Sequence, residues 1–212
     1  MKKHFYILGA LCLTFIFAAC GGGEDEAKDE EGNGGEEQCF YSLNTDTYEL
    51  GWTAYKTTAK APVGGSFNDV TLTAGESTDM EGALTSIEFE INTASVETNE
   101  EDRNRKIAEH FFGTINTPTI TGKMASVDME AGTAVVTIMM NGISMDVEGE
   151  FTMDGEDFSY KADIDVQKWN GVSGIEALNA VCEELHKGDD GVSVLWQNVD
   201  ISFVGSLKKD CE

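Results

Sequence analysis

The chain has 212 residues, with 14 Lys and Arg against 39 Asp and Glu and a formal net charge of −25 at pH 7. A field of that sign repels the phosphates of nucleic acid and equally an anionic lipid surface, so neither is an expected partner of the protein's face. Hydrophobic residues make up 41% of the chain, which is ample for one substantial core.

Residues 1–19 combine Lys2 and Lys3, an apolar run from Phe5 to Phe17, and Ala18-Ala19, the make-up of an export signal. The run is shorter than the ~20 residues a bilayer span needs, so no membrane helix is expected from it. Small residues before Cys20 are the lipoprotein processing pattern, in which the cysteine is acylated and becomes the mature N-terminus; Phe17 stands where Leu is more usual. Residues 20–38 follow the cysteine with Gly, Glu and Asp almost throughout, and Lys28 is their one basic residue. Nothing there can pack, so the segment reads as a tether reaching on the order of 25 Å. Its acidity resembles the surface-export signal of some Gram-negative lipoproteins, and equally suits a plain spacer. Gly21 carries no inner-membrane retention signal. The expected location is the cell envelope, as an outer-membrane lipoprotein on the periplasmic side or the cell surface.

Residues 39–212 form one expected domain, and their dominant period is two. Tyr48, Leu50, Trp52 and Ala54 alternate with polar neighbours, as do Ile87, Phe89 and Ile91; Ile143, Met145 and Val147; Phe158, Tyr160, Ala162, Ile164 and Val166; and Leu195, Val199, Ile201 and Phe203. Turn signals separate them at Gly64-Gly65, Ala131-Gly132, Asn141-Gly142 and Asp154-Gly155. Ala134 to Met140 is apolar on both faces, which suits a strand covered outside by a helix. Two helices interrupt the strands. Thr98 and Glu101 have capping-box spacing, Ile107, Phe111 and Phe112 give the helix of residues 99–112 an apolar side, and Gly113 can end it in the left-handed conformation. Ser173 and Glu176 repeat the capping spacing before the stripe Ile175, Leu178, Cys182 and Leu185, with Gly188 as the stop. Cys182 in that stripe reads as a buried, inert thiol.

Three stretches carry a resemblance. Ser95, Thr98, Arg103, Phe111, Phe112 and Pro118 follow one another with the spacing of the YceI-like family of polyisoprenoid-binding, lipocalin-like barrels, here in a lipoprotein subgroup. Asn104 stands where that family usually has Asp, so a neutral carboxamide replaces the acid of an Arg-Asp pair. Trp52-Thr-Ala-Tyr-Lys56 with Val63-Gly-Gly-Ser-Phe67 resembles the family's first hairpin, and Leu178 to Leu185 with Gly188 to Gly191 and Trp196 its C-terminal helix and final strand.

The resemblance implies an all-β fold with minor α content, a single antiparallel eight-stranded lipocalin-like β-barrel with two short helices. Closing such a barrel can make its first and last strands neighbours and bring Cys39 to Cys211, a candidate disulfide in an exported protein. An eight-stranded barrel is either filled by side chains or widened for one small ligand. Trp52, Phe67, Phe89, Phe111, Phe112, Met139 and Met145 are the candidate lumen residues, because aromatic rings and flexible thioethers suit an adaptable apolar pocket. Catalytic chemistry is not legible. His110 and His186 lack partners at metal-ligand spacing, no nucleophile elbow or phosphate loop occurs, and the Asp-Gly turns lack the spacing of a calcium loop. No metal or cofactor is expected beyond a bound isoprenoid lipid. The expected function is a lipid-anchored, non-enzymatic carrier of a long apolar lipid, polyisoprenoid or quinone-like. The alternative is a surface-displayed packed barrel that binds a protein or glycan.

Overall fold

The computed structural model describes residues 37–212; the expected signal segment, Cys20 and nearly all of the tether lie outside the described residues. Eleven extended segments form one antiparallel sheet: β1 Cys39–Leu43, β2 Glu49–Lys56, β3 Ala61–Phe67, β4 Val70–Thr73, β5 Glu88–Asn92, β6 Val96–Glu97, β7 Thr119–Asp128, β8 Thr133–Met140, β9 Ile143–Asp154, β10 Asp157–Asp165 and β11 Leu195–Cys211. The order is β4-β5-β7-β8-β9-β10-β11-β2-β3-β6, with β1 on the far end of β11.

Eight strands were expected, and two bends account for much of the difference. Asn68 and Asp69 separate β3 from β4, and a 3-10 turn at Thr93–Ser95 separates β5 from β6. The ladder continues across both bends, since Phe67 pairs with Val96, Val70 pairs with Ile91, the Asn68 N–H donates to Ser95 O and the Asn92 N–H to Asp69 O. The two bent strands therefore join the ends of the sheet and curl it into a barrel. β1 is an addition to that ring. It pairs with the end of β11 in a two-stranded ribbon, where Cys39 faces Cys211 and the two are joined by a disulfide.

Local chemistry explains most turns. Asn141 and Gly142 have φ of 51° and 70°, the pair of left-handed residues that a two-residue hairpin requires. Gly64-Gly65, expected as a turn, instead lies inside β3, and the reversal is made at residues 57–60. The reason is steric: a Cβ on Gly65 would stand 2.3 Å from the ring of its cross-strand partner Trp52, so the glycine makes room for the indole.

The helices are α1 Met80–Thr85, α2 Glu101–Lys106, α3 Val172–Val181 and α4 Glu183–His186. α1 carried no periodic signal because it is short and contains Gly82; Asp79 caps it by accepting from the Gly82 N–H at 2.7 Å. α2 runs into a π turn, Ile107–Phe112, in which the Gly113 N–H donates to Ala108 O at 2.9 Å. This wider turn buries both Phe111 and Phe112, although they are adjacent in the chain. Gly113 is right-handed, φ −63°, and is required because a Cβ would lie 2.4 Å from Glu109 O. Neither expected capping box forms. α2 and α3 have no side-chain cap, α3 ends at Val181 well before Gly188, and Leu185 is 61% exposed. No described helix is long and apolar enough to cross a membrane.

One continuous core fills the domain, and no buried side-chain polar atom of the described residues lacks a hydrogen-bond partner. Tyr160 shows the cost of that rule. Its hydroxyl donates to Val147 O at 2.9 Å, and burial pushes its pKa up to about 12. The folded state thus holds this proton more tightly than the unfolded chain, so its contribution is complete below pH 10 and falls as pH rises toward 12. Tyr160→Phe should flatten this alkaline loss in denaturation midpoints measured between pH 9 and 12; an unchanged slope would contradict the assignment.

Candidate functional site

Residues of β2, β3, β4, β5, β7, β8, β10 and β11 line a chamber of about 140 Å³. Leu50 and Trp52 come from β2, Phe89 and Ile91 from β5 with Ile87 just before it, Ile120 and Met124 from β7, Val136, Ile138 and Met140 from β8, and Ile201 and Phe203 from β11. Its polar groups are already engaged: the Trp52 Nε1–H donates to Ser66 O at 3.3 Å, and Ser202 Oγ is 3.5 Å from Gly51 O. Such a space is close to the ~150 Å³ apolar cavities that stay dry and accept a small hydrocarbon. Aromatic rings lie flat against glycine backbone around it. Phe89 covers Gly122 as Trp52 covers Gly65, since a Cβ on Gly122 would stand 2.4 Å from the Phe89 ring.

Of the candidate lumen residues, Trp52, Phe67 and Phe89 line this chamber. Met139 does not; it sits on the outer face of β8, 46% exposed, while its neighbour Met140 points in. No helix covers that outer face, so the expected packing of residues 99–112 on β8 is replaced by packing of the π turn against α3. Met145 lies opposite Ile138, partly buried against the core, without reaching the chamber. Phe111 and Phe112 form a seal outside it. Their rings meet edge to face at 4.9 Å, Phe112 lies 6.1 Å from Phe67, and Gly174 lets α3 press on Phe111, where a Cβ would come within 2.7 Å. The other fifteen lining positions are not among the candidate lumen residues, although Leu50, Ile91, Tyr160, Ile164, Ile201 and Phe203 stand on the alternating rows read from the sequence.

Asn104 holds the entry to α2 in place. Its Oδ1 accepts from the Thr98 N–H at 2.8 Å and the Thr98 hydroxyl at 2.6 Å, and its Nδ2 donates to Glu97 Oε1 at 3.0 Å. The hydrogen bond from Asn104, followed by that from the Asn99 N–H, keeps the Glu97 carboxyl below its usual pKa. An acid at position 104 would set a second carboxylate against Glu97. Asn104→Asp should lower the melting temperature at pH 7 and recover as pH falls toward 4, because the mutual repulsion raises a folded-state pKa and that penalty disappears on protonation. A uniform deficit at all pH values would show that the repulsion is not the cause.

A second chamber, about 360 Å³, lies where the inward row of β2 continues from Trp52 through Ala54 to Lys56. Val63, Ile107, Leu178, Cys182 and Leu195 wall it, and Glu100, Asp102, Arg103 and Lys106 of the α2 region stand at its rim. Cys182 is free, buried and raised in pKa by that burial. His186 is pushed down to about 4 by burial and by Lys56, so it is neutral at pH 7, with Nδ1 2.8 Å from Asn179 Oδ1. Among the described residues no cluster of His, Cys, Asp and Glu could hold a metal ion.

The sequence profile of the YceI-like domain matches residues 41–206. Among curated proteins none matches. Two similar solved structures are a polyisoprenoid binding domain from Saccharophagus degradans implicated in plant cell wall breakdown and the BcnA protein of Burkholderia cenocepacia. The first is 17% identical, with a TM-score of 0.55 over 80% of this chain and 98% of its own. The second is 15% identical, with a TM-score of 0.55 over 79% of this chain and 99% of its own. At these identities the likeness is one of fold.

Proposed function

Because the chain belongs to the YceI-like domain family, we propose that it is a non-enzymatic carrier whose barrel holds a long apolar chain of the polyisoprenoid or quinone-like class. The supporting observation is the inner chamber, whose wall is hydrocarbon and aromatic and whose polar atoms are already paired. A chain drawn into it is stabilised by about 25 cal/mol per Å² of apolar surface removed from water, less the cost of ordering the chain. Alone the chamber accepts a short segment; a guest that passes Trp52, the residue common to both chambers, would reach the ~300–1,000 Å³ of ordinary ligand sites. The Saccharophagus domain, named for polyisoprenoid binding, supports the same ligand class. Tyr160, Cys182 and His186 are all held neutral, which suits retention of an apolar guest better than proton transfer.

The same reading places the protein at the outer membrane through an acyl group on Cys20, with residues 20–38 as tether. Metabolic labelling with an alkynyl fatty acid tests this, and labelling that survives Cys20→Ala would overturn it. For the carrier, organic extraction of the purified protein followed by mass spectrometry should yield an isoprenoid lipid. Ile201→Trp, which fills the inner chamber, is expected to weaken binding of a fluorescent polyene at least ~10-fold while costing about 1–3 kcal/mol in stability. A native protein that yields no lipid and binds no polyene would leave the packed-barrel module for a protein or glycan as the reading.

A further inference from the structure

Trp52 is the one side chain with a Lys on its own inward row and a place in both chambers. From it, β2 runs inward through Leu50 and outward through Ala54 to Lys56, so the row changes from apolar to cationic within one strand. Lys56 faces Leu195 of β11 across the ladder, and its ammonium donates to Leu185 O at 3.1 Å. The bond lies at the exposed end of the chamber, so the ammonium presents its charge at the opening. Among the described residues neither Lys56 nor Arg103 makes an ion pair, whereas Asp102 is taken by Arg105 and Lys106 at 2.6 and 2.7 Å. Glu100 and Asp102 share the rim, so the cations there are three against two acids, in a chain whose total is −25. A positive mouth within so acidic a molecule focuses the field on one small opening.

We infer that the barrel takes an amphiphile with an anionic head, its tail in the inner chamber, its first carbons past Trp52, and its head against Lys56 and Arg103. This rests on the apolar-chain reading above and adds the chemistry of the other end. Trp52 acts as the partition. Its indole is held by one long hydrogen bond to Ser66 O and lies over Gly65, where no side chain blocks it. The acidic surface around the opening then disfavours anions everywhere except at this mouth.

The experiment compares cis-parinaric acid with its methyl ester, the same polyene with and without the charge, on the purified full chain at pH 7.4. The acid is expected to bind at least ~10-fold more tightly at low salt, with the gap shrinking as ionic strength rises, because screening weakens exposed charge pairs. Lys56→Gln combined with Arg103→Gln should erase the gap and leave the ester's affinity where it was. Equal binding of acid and ester by the native protein, or a gap that persists in the double variant, overturns the inference while the carrier reading stands. Binding of neither probe removes both. Should the double variant lose its thermal transition, Arg103→Gln alone, on an exposed position of α2, decides: at least a threefold narrowing of the gap supports the site, and none refutes it.

Discussion

Replacing both Cys39 and Cys211 with Ser is expected to lower the unfolding free energy by about 5 kcal/mol, the chain-entropy value for so long a loop. The cross-link spans a sequence separation of 172 residues, so nearly the whole described domain is one closed loop when oxidised. Without the bond the unfolded ensemble gains the freedom of open ends. Urea denaturation of the native and double-serine proteins, both without reductant, measures the difference. The effect should be a lower midpoint with an unfolding slope that rises, since the unfolded chain expands. Unfolding free energies agreeing to within ~1 kcal/mol would mean that the unfolded chain keeps the two ends together without the bond.

Trp169→Ala should cost about 3–5 kcal/mol, the range for deleting a buried indole. The residue is 1% exposed, at the end of the 3-10 turn Val166–Trp169. Its Nε1–H donates to Ile138 O at 3.1 Å, and its own carbonyl accepts from Asn141 Nδ2 at 2.9 Å. The ring therefore ties the segment after β10 to the β8–β9 hairpin, behind a strand whose inner face lines the chamber. Trp169→Phe keeps most of the volume but leaves the Ile138 carbonyl without this donor, with an expected loss of about 1–3 kcal/mol. Equal losses for the two variants would show that the hydrogen bond, and not the cavity, dominates. Since domains of this kind are stable by about 5–15 kcal/mol in total, combining Trp169→Ala with loss of the disulfide should leave little folded protein at 25 °C.

Which parts of this were legible in the chain follows from the range of each interaction. The Asn141-Gly142 hairpin is local, because two left-handed residues suffice to make it, and the structure has it where the dipeptide stands. Ile87, Phe89 and Ile91 alternate with three acids or amides and do line the chamber. Ala134 to Met140 is apolar in both parities, so the pattern is silent on which methionine faces in; the candidate Met139 faces out, and Met140 faces the chamber. The Thr98 cap failed for a different reason. Asn104, on the next turn, satisfies the Thr98 hydroxyl and also reaches Glu97, a three-way arrangement that a four-residue spacing rule does not contain. Phe111 and Phe112 were correctly taken as buried, yet the π turn and Gly174 direct them to a seal between helices and away from the chamber.

The sequence by itself determined the acidic charge, the two-residue period, the main turns and the family pattern, because each depends on neighbours a few residues apart. Only the tertiary structure decided that β3 and β5 bend and join the sheet's ends, that Trp52 stands between two chambers, and that Lys56 and Arg103 meet at one mouth. Those outcomes depend on contacts between residues far apart in the chain, whose geometry exists only once the sheet has curled.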